Sequence, residues 1–167
     1  MSQAVEQEPN QQREQQAKQQ KELAVQRGIR QAEDNLVQWI EKALKEGKYT
    51  KAGDKKLEES QFRNLLRVAE TTESPEVIKN FLRYQVGREE KWGRGKDSLA
   101  EKIVHDIDHA LRTQAEAIQT ETNYERLHEI WIKLIRLYLG YGSRRLKYLN
   151  FEAENQESER KQDKSKR

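Results

Sequence analysis

Residues 127–141 read Leu-His-Glu-Ile-Trp-Ile-Lys-Leu-Ile-Arg-Leu-Tyr-Leu-Gly-Tyr, and this stretch decides the fold. Leu127, Ile130, Trp131, Leu134, Ile135, Tyr138 and Tyr141 recur at steps of three and four, which gathers them on one side of an α-helix and scatters them on a strand. The face is the widest apolar one in the chain, so this helix is expected to be the central one. Asn123 is placed as its cap. Gly140 and Gly142 weaken its far end and allow a kink or a close contact with a neighbouring subunit.

Upstream, the same periodicity repeats. Ser98 with Glu101 three residues on forms a capping box, and the helix that follows carries Ala100, Ile103, Val104, Ile107, Leu111, Ala115 and Ile118 on one face. Ser74 and Pro75 start another, since Ser caps free amides and Pro suits the first helical position. That helix is expected to bury Val77, Ile78, Phe81, Leu82 and Gln85 or Val86, and to end in the break at Trp92, Gly93, Arg94 and Gly95. Phe62, Leu65, Leu66 and Ala69 mark a helix over about 59–71, with Arg63 and Arg67 on its outer face. Leu36, Val37, Ile40, Ala43 and Leu44 mark one over about 30–46, with Trp39 to one side and Gly47 as its stop. Runs of alternating β-branched residues are missing. The expected fold is all-α, a compact bundle of about five helices.

The flanks differ. Residues 1–28 are Gln- and Glu-rich and have too few aliphatics to offset chain entropy by burial, so they are expected to be a disordered extension or a frayed helix. Residues 152–167 hold five acids, five bases and Ala153 as the one hydrophobe, and read as a second disordered, charged tail. The helical-bundle domain is thereby bounded at 29–151. With 34% hydrophobic and 37% charged residues in 167, one domain with solvated outer faces is expected. No Cys is present, which removes disulfides, thiolate metal sites and a Cys nucleophile and suits a reducing cytosol. No stretch reaches the roughly 20 apolar residues of a membrane span, and no signal-peptide core opens the chain. The expected setting is cytoplasmic, with no membrane partner.

Net charge is only +3, so its distribution carries the argument. Residues 78–96 hold six bases against two acids, and residues 133–147 five bases and no acid, whereas residues 97–129 hold eight acids against three bases. Lys79, Arg83 and Arg67 are expected to project from neighbouring turns as a cationic ridge. Such a ridge meets phosphates, releases counterions and gives sequence-independent affinity, with Arg suited to bidentate contact. Lys91 and Arg94, then Arg144, Arg145 and Lys147, extend the candidate surface. Tyr84, Trp92 and Tyr148 interleave with these bases and are candidates to stack on unpaired bases, although the core is the commoner place for such rings. A charge run on a helix is often a solvated face, and opposite charges at this scale also fit a structural adaptor that self-associates and binds no RNA.

Chemistry for catalysis has no visible seat. His105 and His109 stand four apart, but Asp106 takes the position where a zinc-protease pattern needs Glu, and both fall opposite the apolar stripe, where no cleft is expected. His128 reads as a surface histidine near Glu125 and Glu129. Neither a phosphate-binding glycine loop after a strand nor a nucleophile elbow is present. No enzyme activity, metal or cofactor is expected.

Three short segments resemble one family, the small subunit of type III-A CRISPR effector complexes. Ser60, Gln61, Phe62, Arg63, Asn64, Leu65, Leu66 is similar to its short helix start, a Ser/Gln pair before an apolar residue and Arg. Tyr84, Gln85, Val86, Gly87, Arg88 resembles its Tyr-Gln pair followed by Gly-Arg. Glu125, Arg126, Leu127 running on to Leu137, Tyr138, Leu139, Gly140, Tyr141 resembles its final helix with an aromatic close. The likeness covers about residues 30–150. The Gln-rich extension, the break at 93–96 and the charged tail depart from the pattern and leave the type III subtype open. The resemblance implies a non-catalytic helical subunit, present in several copies along a ribonucleoprotein, that holds guide RNA and target RNA by their backbones. Its partners would be other copies of itself and the backbone and large subunits, which carry the cleavage, signalling and DNA-directed activities. Arg63 and Arg88 are the two bases that stand where the family's motifs show Arg.

Overall fold

The computed structural model describes residues 7–166. In chain order it contains α1 (Gln7–Glu46), α2 (Glu59–Thr71), α3 (Pro75–Arg88), α4 (Leu99–Asp106), a π-helical turn (Ile107–Leu111), α5 (Arg112–Thr122) and α6 (Leu127–Ser165). The π turn joins α4 to α5 without interruption, so the described residues make five rods. α6 is the central one, packing on α1, α2 and α5. Among the described residues there is no strand; a single β-bridge between Lys48 and Ser98 ties the loop after α1 to the start of α4. No described helix is long and apolar enough to cross a membrane.

The apolar stripes read from sequence form one core. Leu36, Ile40, Phe62, Leu65, Ile103, Ile107, Leu111, Ile130, Leu134, Ile135 and Tyr138 are all buried in it. Between α4 and α5 the stripe advances by four residues from Ile103 through Ile107 and Leu111 to Ala115. A straight α-helix would let that spacing drift around the rod, and the wider π turn cancels the drift. Ser98 caps α4, its Oγ accepting from the Glu101 amide at 3.2 Å. Gly142 lets α6 approach closely: a Cβ there would lie 2.6 Å from Phe62 Cε1 and 2.8 Å from Ile40 Cγ1. Of the two roles expected at this end of the helix, a kink or a close contact with a neighbouring subunit, Gly142 makes a close contact, but within the chain, and α6 continues to Ser165.

Several expectations are corrected. Of the two readings of the N-terminal segment, disordered extension or frayed helix, it is helix from Gln7 onward, and residues 1–6 lie outside the described region. Gln, Glu, Lys and Ala dominate it, and all are good helix formers. Val25, Ile29 and Ala32 extend the α1 stripe into the core, so burial begins before residue 29. Residues 9–20 are exposed throughout. The charged tail is likewise helical as the end of α6, exposed from Phe151 to Lys166, with Arg167 outside the described residues. Asn123 ends α5 in the left-handed conformation, φ 54°, rather than opening α6, because its short amide side chain tolerates that region. α3 stops at Arg88, short of the Trp92–Gly95 break. Val77 is 46% exposed, since the buried stripe of α3 runs through Pro75, Ile78, Lys79 and Leu82 instead.

Candidate nucleic-acid interface

α3 carries the clearest correction to the expected ridge. Lys79 is only 6% exposed, and its ammonium lies 2.6 Å from both Glu76 Oε1 and Asp108 Oδ1. Burial alone would lower its pKa, but the hydrogen bonds to Asp108 and Glu76 outweigh burial and raise it. Lys79 therefore ties α3 to the π turn and offers no charge to a phosphate. Beyond it, Arg83 and Arg88 are exposed, as is Arg94 in the following turn, while Lys91 is half-buried. Tyr84 is 58% exposed, four residues before Arg88, so ring and guanidinium share one side of the helix. Trp92 is not available for stacking: it is 1% exposed, with its ring centroid 5.1 Å from that of Phe62. Gly93 follows at φ 80°, where a Cβ would strike the Lys48 carbonyl, and this turn brings Arg94 back to the surface.

The bases of α2 and α6 divide. Arg67 is exposed and unpaired among the described residues, whereas Arg63 lies 3.9 Å from Glu59. Arg63 and Lys147 share a small cleft of about 200 Å³ with Lys56, Glu58, Glu59 and Glu154. Three acids there balance three bases, and Lys56 is held by Glu154 at 2.9 Å. Arg144 rests over the Tyr141 ring, 5.9 Å from its centroid. Arg145 turns toward α1, 3.7 Å from Glu41, with the Tyr148 ring 5.3 Å away. Tyr148 is 47% exposed and donates to Glu152 at 2.9 Å. Arg136 is structural: its Nε donates to the Ala69 carbonyl at 2.8 Å and its Nη2 to that of Thr72 at 3.0 Å, closing the end of α2. The acidic segment is also partly spent within the chain. Asp97, Asp108, Glu116 and Glu129 are ion-paired, and Asp106 accepts from Tyr138.

The histidines stand beside a cleft that the sequence did not lead one to expect. His105 and His109 are exposed and stacked, centroids 4.2 Å apart, and His105 lines a cleft of about 460 Å³ with Trp39, Lys42, Lys102 and Asp106. At the end of α4 the Asp106 side chain reaches toward α6. There the Tyr138 hydroxyl donates to Asp106 Oδ2 at 2.6 Å, and the Trp131 indole donates to the Ile107 carbonyl at 2.9 Å. Burial pushes the Asp106 carboxyl up, only partly opposed by the Tyr138 hydrogen bond and by His105, Lys42 and Lys102. Burial also pushes the Tyr138 phenol well up, with Asp106 adding to it. His128 is exposed, at the edge of the Trp131 ring. Among the described residues no group of three metal-ligating side chains comes together.

Sequence reasoning missed Lys42, Lys45 and Lys51. These join Arg145 around the largest cleft described, about 610 Å³, between the end of α1 and α6. The signal was out of reach because Lys45 and Arg145 are a hundred residues apart and no local pattern relates them. Comparison of the chain with protein-family models, curated proteins and solved structures gave no match.

Proposed function

We propose that this chain is a non-catalytic small subunit of a type III CRISPR RNA-guided effector in antiviral defence. In this reading it binds guide and target RNA by their backbones, in the cytoplasm, and bridges neighbouring subunits. One observation carries the reading. Of the ten bases nominated from sequence, Arg67, Arg83, Arg88, Lys91, Arg94, Arg144 and Lys147 have no ion-pair partner among the described residues, and all but half-buried Lys91 are exposed. Charges left unneutralised by the fold are the ones able to release counterions when a phosphate arrives. The family-like segments add support by position: one opens α2, one closes α3 and one opens α6. The aromatic close, however, falls inside α6 rather than at its end. Self-association through opposite charge is the weaker reading, since five of the eight acids in residues 97–129 are already engaged.

The test is a triple substitution, Arg67→Glu, Arg83→Glu and Arg88→Glu, in the full chain. Affinity for two single-stranded RNAs of unrelated sequence would be measured by fluorescence anisotropy at about 50 and about 200 mM salt. Both affinities should fall together by more than roughly tenfold at low salt, and the slope of log K against log salt should shrink by about 2, at roughly 0.7 per lost phosphate contact. Unchanged RNA binding overturns the reading. An oligomer that salt dissolves with or without RNA would favour the adaptor. A gene position between a polymerase-like large subunit and a repeat-type RNA-binding subunit, beside a CRISPR array, would support the assembly.

A further inference from the structure

The cleft between the end of α1 and α6 differs from the proposed RNA face in place and in chemistry. Its volume, about 610 Å³, falls within the range of small-molecule sites, roughly 300–1,000 Å³. Lys42, Lys45 and Lys51 line it, all exposed, and none is ion-paired among the described residues. The two acids on its wall are already neutralised, Glu41 by Arg145 at 3.7 Å and Glu46 by Lys102 at 3.8 Å. The cleft therefore presents three ammonium groups without an ion-pair partner, of which Lys42 also borders the cleft that holds Asp106. Its floor is apolar: Leu44 is buried and Leu149 half-buried. Tyr49 supplies an aromatic wall. The Lys51 ammonium rests over that ring, 5.2 Å from its centre. Burial raises the Tyr49 phenol, which therefore stays protonated and able to donate.

We infer that this cleft binds a nucleoside phosphate, its phosphates on Lys42, Lys45 and Lys51 and its base against Tyr49 and Leu149. A flat aromatic base matches the ring and the apolar floor, taking the place over Tyr49 that Lys51 holds in the free chain, and a polyphosphate matches three cations with no ion-pair partner of their own. Inorganic phosphate would leave the floor unused, and a neutral aromatic would leave the lysines unused. The same chemistry is offered by a free nucleotide and by the phosphorylated end of an RNA strand. The inference does not depend on the RNA-backbone reading, because Arg67, Arg83 and Arg88 do not line this cleft.

The experiment titrates the full chain with ATP, adenosine and inorganic triphosphate by isothermal titration calorimetry, without divalent cation. ATP should bind, with adenosine and triphosphate each at least about tenfold weaker, because each engages half of the site. Lys45→Glu with Lys51→Glu should weaken ATP binding by at least about tenfold; both side chains are exposed, so the fold is untouched. Competition with a short RNA, bearing either a 5′-phosphate or a 5′-hydroxyl, identifies the source: displacement by the phosphorylated strand alone indicates a strand end, and displacement by neither indicates a free nucleotide. Triphosphate binding as tightly as ATP, or unchanged ATP binding in the lysine variant, overturns the inference. The Arg67, Arg83 and Arg88 variant should bind ATP normally, so failure of the RNA-backbone reading and failure of this one give different results.

Discussion

The two basic segments look equivalent as strings and are not equivalent in the molecule. In residues 78–96 one base of six, Lys79, is drawn into the fold, and the other five have no ion-pair partner among the described residues. In residues 133–147, which contain no acid, the fold engages two of five: Arg136 closes α2, and Arg145 pairs with Glu41 on α1. The lesson concerns what surrounds each side chain. α6 is central, so its bases reach the ends and acids of other helices, whereas the outward side of α3 faces no neighbour. Net charge along the chain counts cations, but packing decides which of them remain free to meet a ligand.

The comparison is sharpened most by removing the cation that the central helix uses. Arg136→Ala strips the Ala69 and Thr72 carbonyls of their charged donor and breaks the contact to Glu73 at 3.3 Å. Hydrogen bonds to a charged group are worth about 1.5–3 kcal/mol, and a partly buried carbonyl left unmet adds to the loss. Urea unfolding should show a loss of about 2–3 kcal/mol, while RNA affinity stays within twofold of the parent, because this guanidinium is turned inward. A stable variant with weakened RNA binding would reverse the assignment of Arg136.

Lys79 is the intermediate case, a cation in the exposed-looking segment that the fold has nonetheless consumed. Lys79→Met should cost about 1 kcal/mol at neutral pH, less than the usual loss of a buried pair, because Asp108 and Glu76 are open enough to regain water. The pH dependence follows from the direction of the shift. The Lys79 pKa is raised above its ordinary 10.5, so its contribution is complete below that value and is lost as pH climbs through the higher folded value. The stability gap between parent and variant should hold from about pH 7 to 10 and close above about 10.5. A gap that persists at higher pH would mean that packing of the lysine stem, not its charge, holds α3 to the π turn.

How much of this was legible follows the same division. The stripes through Leu36 and Ile40, Phe62 and Leu65, and Ile130 to Tyr138 state helix, face and core directly, because apolar burial repeats with the helical period. Helix length was not legible at the chain's two ends. Residues 9–20 and 151–166 bury nothing, so composition argues against order there while propensity carries the helix onward. Lys79 defeated the reading because its local partner, Glu76, looks like an ordinary surface pair, and the second one, Asp108, is twenty-nine residues away. Val77 was misplaced for the same reason, since admitting Lys79 to the stripe turns Val77 outward. The π turn left one trace, the unbroken four-residue spacing from Ile103 to Ala115. The cleft around Lys45 and Arg145 left none.

The smallest effects belong to the free bases of α3, and they separate two exposed arginines five residues apart. Neither Arg83 nor Arg88 has an ion-pair partner among the described residues, so truncation removes no pair and should stay within about 0.5 kcal/mol. Arg88, however, occupies the last turn of α3, beside backbone carbonyls that carry partial negative charge, where a cation stabilises by roughly 0.3–1 kcal/mol. Arg83 lies more than a turn inside, where that field has faded and alanine is the better helix former. Arg88→Ala should therefore lower the melting temperature by about 1 to 2 °C, and Arg83→Ala should leave it unchanged or slightly raised, at roughly 2–4 °C per kcal/mol for a chain of this size. Added salt should erase the Arg88 difference, since the helix-end attraction is screened. Equal losses for the two, insensitive to salt, would show that the outward side of α3 is not free and that an unrecognised contact already occupies it.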